Sequence, residues 1–166
     1  MRLVYFCIYN NNIFMENNKK EGRYKRLYEQ LQELLTKTDD VIARMATVAA
    51  VLKNKMDAFF WCGFYFLYED KMVVGPYQGS VACQILQGGG VCLTAARENK
   101  TVVVADVHAF PGHIACDSRS NSEIVVPVRD KKGVLKAVLD VDSLSFGSFD
   151  ETDKIYLEKI VELIYV

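Results

Sequence analysis

The stretch Ile124-Val125-Val126-Pro127-Val128-Arg129-Asp130-Lys131-Lys132-Gly133-Val134-Leu135-Lys136-Ala137-Val138-Leu139-Asp140-Val141 decides the fold. Two apolar, β-branched runs, 124–128 and 134–141, flank a long charged turn that ends in glycine, which is a hairpin signal. A direct connection of this kind, with no crossover element, joins antiparallel strands. Upstream, residues 59–68 are apolar and aromatic, broken only by Gly63, and Glu69-Asp70-Lys71 leads into Met72-Val73-Val74 as another hairpin.

Helices are expected before, between and after these strands. Tyr24, Leu27, Leu31, Leu34 and Leu35 recur at helical spacing and predict an amphipathic helix over 23–36. Thr38 is placed to cap a second helix reaching about Lys55, with Asp39 and Asp40 in its first turn and a stripe of Ile42, Met45, Ala49 and Leu52. Gly88-Gly89-Gly90 precedes a short helix over 91–98, residues 101–104 return as a strand, and 105–121 lacks either periodicity. Asp150 caps a last helix with Leu157, Ile160, Val161 and Ile164 on one face. The order ααββαβ, a long loop, then ββα, describes an α+β domain whose largely antiparallel sheet is flanked by helices.

The 166 residues suffice for one domain with a sizeable core. A net charge of -1 gives no handle on a polyanion, so neither nucleic acid nor a membrane surface is an expected partner. Five cysteines, an odd number without CxxC pairing, fit a reducing, cytoplasmic setting better than a secreted disulfide scaffold. The apolar run 3–9 is far shorter than a membrane span and leads into Asn10-Asn11-Asn12 without a small-residue cleavage site. We therefore read residues 1–20 as an N-terminal extension in which Cys7 needs no function, and 21–166 as the domain.

Chemistry concentrates in the polar run Asp106-Val107-His108-Ala109-Phe110-Pro111-Gly112-His113-Ile114-Ala115-Cys116-Asp117. A thiol beside two imidazoles and several carboxylates is suited to redox work. Cys83 and Cys92, flanking the glycine run, are both candidates for a resolving thiol, whereas Cys62, inside the aromatic strand, reads as an inert core residue. Asp140 and Asp142, two positions apart, share one face of a strand, and with Glu123 they make an acidic group in which burial would raise at least one pKa. Such a group suits either a proton donor or the binding of an ammonium. Trp61 and Tyr65 share a face and offer an aromatic wall for a methyl or thioether. His108, His113 and Cys116 do not follow a standard zinc spacing, and the glycine run lacks the further residues of a nucleotide-binding loop.

These pieces resemble a known family. Residues 107–118 with Ser120-Asn121-Ser122-Glu123-Ile124-Val125-Val126-Pro127, Trp61 with Gly63-Phe64-Tyr65, Gly75-Pro76-Tyr77-Gln78-Gly79 with Val81-Ala82-Cys83, Gly90-Val91-Cys92, and Val138-Leu139-Asp140-Val141-Asp142-Ser143 are similar to the signature of the free methionine-(R)-sulfoxide reductases, built on a GAF domain. The resemblance implies that Cys116 attacks the sulfoxide of free methionine sulfoxide, that Cys83 is the principal resolving thiol, and that Cys92 has a less essential part. It also implies that Glu123, Asp140 and Asp142 hold the substrate's ammonium and sulfoxide oxygen, with Trp61 and Tyr65 around its methyl end. Thioredoxin as reductant, a homodimer, and no metal or organic cofactor follow from the same resemblance. The chain departs from the family where Ile85-Leu86-Gln87 replaces Ile-Pro-Phe in a loop one residue shorter, at Leu93 and Leu144, which replace Gly and Pro, and in the turn at 129–133, one residue longer. Two other readings share these residues: a GAF module that senses a small molecule without catalysis, and a metal-binding or peroxide-reducing thiol protein.

Overall fold

The computed structural model describes residues 2–113 and 116–166, with side chains from Asn18 onward. The sequence expectations for Cys7, Ile114 and Ala115 thus lie outside the described side chains. The elements are α1 (Arg2–Leu34), α2 (Val41–Lys55), β1 (Trp61–Tyr68), β2 (Lys71–Gln78), β3 (Ile85–Gln87), α3 (Val91–Glu98), β4 (Val102–Val104), β5 (Ser122–Arg129), β6 (Leu135–Ser143) and α4 (Glu151–Glu162). Six strands form one sheet in the order β3-β2-β1-β6-β5-β4, every neighbouring pair antiparallel. The α+β expectation holds, as do both hairpins.

Alternation along the central strands sorts side chains between two faces. Cys62 and Phe64 of β1, Ile124, Val126 and Val128 of β5, and Ala137, Leu139 and Val141 of β6 pack against α1, α2 and α4 in one apolar core. Trp61, Tyr65, Val125 and Val138 face the other way, into a second cluster closed by α3. The core helices are fixed by specific polar anchors. Asp150 and Asp153 form a capping box at the start of α4, and Asp153 also accepts a buried hydrogen bond of 2.7 Å from Tyr24 of α1 and pairs with Lys20.

Four expectations need correction. The cap of α2 is Asp40, whose carboxylate accepts from the Ala43 amide at 2.7 Å, while Thr38 accepts from the Asp40 amide one step earlier. The buried stripe of α2 runs through Arg44, Met45, Val48, Ala49 and Leu52, and Ile42 is half exposed. Arg44 is buried because its guanidinium has backbone acceptors on two sides, Leu35 and Thr38 before it and Ile164 and Val166 at the chain's end. The third correction is β3, which the sequence did not suggest. Residues 85–87 pair with residues 71–73 at the sheet edge and bury Leu86. Leu34, counted in the apolar face of α1, is partly exposed.

Candidate active site

The second face of the sheet carries the acids. Trp61 pairs with Asp142 across β1 and β6, and Asp142 pairs with Glu123 across β6 and β5, so the three residues form one row. In the next row Gly63 lies opposite Asp140. A side chain at Gly63 would collide with Trp61 and Tyr77, so its absence lets those two rings stack, 5.3 Å between centroids. Tyr65 also stacks on Trp61, at 5.9 Å between centroids. The expected aromatic wall is therefore present, and it stands beside the acid row.

Above this floor lies a cleft partly open to solvent. Trp61, Tyr65, Cys92, Cys116, Glu123, Asp140 and Asp142 all line it. Cys83 does not line it, yet it is joined to Cys116 in a disulfide with a Cα–Cα distance of 5.3 Å across thirty-three positions of sequence. Two half-buried loops are thus tied together at the mouth, and Cys62 remains a free, buried thiol on the opposite face.

Both loops are held from below. The Tyr65 hydroxyl donates to the Cys83 carbonyl at 3.1 Å, and the Trp61 indole donates to the Ser80 carbonyl at 3.1 Å. The Ser80 hydroxyl in turn donates to the Asp117 carboxylate at 2.7 Å, linking the Cys83 loop to the Cys116 loop. Arg119 pairs with Asp117 at 2.8 Å and lies over the Phe60 ring, 4.7 Å from its centroid. This pairing holds the Asp117 carboxyl well below the usual carboxylate range. Ser80 and Ser120, both at the cleft, were given no site role by the sequence reading, because serine in a turn carries no signal that separates a site residue from an ordinary one.

The electrostatics divide the acids. Burial pushes Glu123 and Asp140 well above the ordinary carboxylate range, reinforced by their negative neighbours, Asp140 and Asp142 for the first and Asp142 for the second. Asp142 rises to about 6, mainly through burial, with the Ser120 hydroxyl pulling it partly back. Cys92 donates weakly to Glu123, Sγ to Oε1 at 3.9 Å, and burial among these acids raises its thiol pKa strongly. Of the two imidazoles, His113 reaches the cleft, 4.0 Å from Glu123, and burial lowers its pKa. His108 instead meets Asn121 at 3.0 Å and the edge of Phe146, so the trio His108, His113 and Cys116 is not gathered around one point. The arrangement can hold a small cation-bearing ligand on the acids, supply a retained proton from Glu123 and Asp140, and exchange thiols for a disulfide at its mouth.

Comparison with other proteins agrees with this geometry. Residues 38–165 match the model of the GAF domain. The chain is 47% identical over 152 residues to GAF domain-containing protein A of Dictyostelium discoideum, covering 90% of this chain and 95% of that one. It is 41% identical to free methionine-R-sulfoxide reductase of Escherichia coli over 87% of each chain. The structure of the Neisseria meningitidis free methionine-R-sulfoxide reductase in complex with its substrate superposes with a TM-score of 0.83 at 41% identity, covering 88% of each chain. Fold and sequence likeness converge, and the chain belongs to the free methionine-R-sulfoxide reductase family of GAF-domain proteins.

Proposed function

We propose that the protein reduces free L-methionine (R)-S-oxide to L-methionine, with residues 21–166 as the catalytic domain and 1–20 as an extension. The observation that carries this reading is the closure of Cys83 on Cys116 beside a cleft floored by three carboxylates and walled by Trp61 and Tyr65. In the reduced protein the Cys116 thiolate attacks the sulfoxide sulfur while a proton passes to the oxygen. Methionine leaves and Cys116 is left as a sulfenic acid. The Cys83 thiol then attacks that sulfur, releasing water and closing the disulfide; the sulfoxide has lost two electrons' worth of oxidation and the two thiols have gained it. Cys92 has a lesser part, its thiol being buried and held against Glu123.

The acids take different work because their surroundings differ. Asp142, with a pKa of about 6, is largely ionised at neutral pH and pairs with the substrate's ammonium. Glu123 and Asp140, pushed higher by burial, keep a proton between them, and Glu123 delivers it to the sulfoxide oxygen. Thioredoxin reopens the disulfide, and a cytoplasmic homodimer completes the proposal on the strength of the family likeness. Among the described residues no helix is long and apolar enough to cross a membrane. The test is NADPH consumption coupled through thioredoxin and its reductase. Turnover is expected with the free R-oxide, and little with the free S-oxide or the peptide-bound oxide. Equal rates with all three, or none with any, would overturn the reading.

A further inference from the structure

Asp140 contributes more to the cleft than a third negative charge. It is 7% exposed, and its Oδ1 is buried without a hydrogen-bond partner. A carboxylate oxygen in that position awaits a cation. An ammonium would satisfy it, but an ammonium gains nothing from the sulfur that stands next to it. Cys92 Sγ and one oxygen each of Glu123 and Asp140 lie within 4.8 Å of one another, all three buried. The Cys92 to Glu123 separation is 3.9 Å, against about 3.6 Å for the S···O edge of a tetrahedral zinc site built from ordinary bond lengths.

We propose that Cys92, Glu123 and Asp140 form a site for a thiophilic divalent cation of the zinc type, which excludes the substrate from the cleft. One sulfur and two oxygens from three different elements, α3, β5 and β6, supply three ligands, and a water from the cleft they line would complete a tetrahedron. Binding is not a redox step: the Cys92 thiol gives up its proton, any proton held by the carboxyls leaves with it, and three bonds to the metal replace them. Magnesium and calcium are poor occupants, since they require more oxygen ligands and gain little from sulfur. The exclusion of substrate rests on the proposed function; the binding itself does not.

The experiment uses the full chain in a Cys7→Ser background, oxidised so that Cys83 and Cys116 are closed, with zinc competed against a chromophoric chelator and thiol alkylation read by mass spectrometry. One equivalent is expected to bind and to slow alkylation of Cys92. Affinity should fall by at least about tenfold in Cys92→Ala and in Asp140→Asn, and should be unchanged in Cys62→Ala, whose thiol lies on the other face of the sheet. Asp140→Asn keeps the side-chain shape, so it decides the matter should Cys92→Ala fail to fold. No uptake, uptake indifferent to both variants, or equal binding of magnesium would overturn the proposal. Zinc should also inhibit methionine oxide reduction competitively, and a chelator should reverse it. A protein that binds zinc here but reduces no sulfoxide defeats the functional reading alone, whereas an active reductase that takes up no zinc defeats this inference alone.

Discussion

The two faces of the sheet are made from the same strands and do opposite things. On one, Cys62, Phe64, Leu139 and Val141 meet α1, α2 and α4, and the buried Asp153 and Arg44 beside them are anchored to partners. On the other, one residue along each strand, stand Trp61, Asp140, Asp142 and Glu123, with an unpartnered carboxylate oxygen and a cleft open to ligand. The difference teaches where stability and chemistry are divided. Dispersion and hydrophobic burial hold the first face closed, while the second keeps buried acids whose raised pKa values oppose folding at neutral pH but furnish a site.

The comparison breaks most severely at sulfur. Cys116→Ser is expected to reduce turnover to background, whereas Cys62→Ala, a thiol on the closed face, should leave turnover intact and cost about 1 kcal/mol of stability. Parallel steady-state assays and denaturant unfolding decide this. Next in size, Leu139→Ala should lower unfolding free energy by about 2–5 kcal/mol through a core cavity. Its neighbour Asp140→Asn, which removes a buried ionisable carboxyl from the other face, should raise stability modestly at neutral pH; urea titration of both separates the faces.

Acid titration sharpens the contrast further. The folded pKa of Asp142, about 6, lies above its ordinary value of 3.8, so its stabilising contribution is present below about pH 4 and is lost as pH rises through 6. The melting temperature of the wild type should therefore fall more between those values than that of Asp142→Asn. In catalysis the sign reverses: KM for the oxide should rise as pH falls below about 6, because protonation removes the partner of the ammonium. The smallest effect is expected at Ser80→Ala. It loses the hydroxyl link between the two cysteine loops, worth about 1 kcal/mol, and should slow disulfide closure about fivefold in a single-turnover experiment without changing the fold.

How much of this was legible depended on periodicity. The hairpin at 124–141 and the opening aromatic strand announced the sheet, and the alternation of Asp140 with Val141 and Asp142 put both acids on one face, as they are found. The residues Cys83, Cys92 and Cys116 could be named as a set, but no local pattern says which pair meets, because Cys92 lies on α3 while Cys83 and Cys116 lie in loops, the first of them held on β1 by Trp61 and Tyr65. For the same reason β3 escaped notice: three residues are too few to show a period, and their pairing with β2 is a tertiary fact. His108 and His113 looked equivalent in the loop, yet a turn at Val107–Ala109, capped by Asp106, sends one to Asn121 and leaves the other at the cleft. The division between Asp142 and the more strongly shifted Glu123 and Asp140 arises from burial, neighbouring charge and the Ser120 hydroxyl, which spacing cannot report.

Thiol mapping after one turnover tests the division of the faces most directly. Reduced protein, given one equivalent of free methionine R-oxide without thioredoxin and then alkylated, should yield about one methionine per chain and a single new Cys83–Cys116 linkage, with Cys62 and Cys92 still carrying the alkyl label. A linkage through Cys92 or Cys62, or methionine released with no intramolecular disulfide, would contradict it.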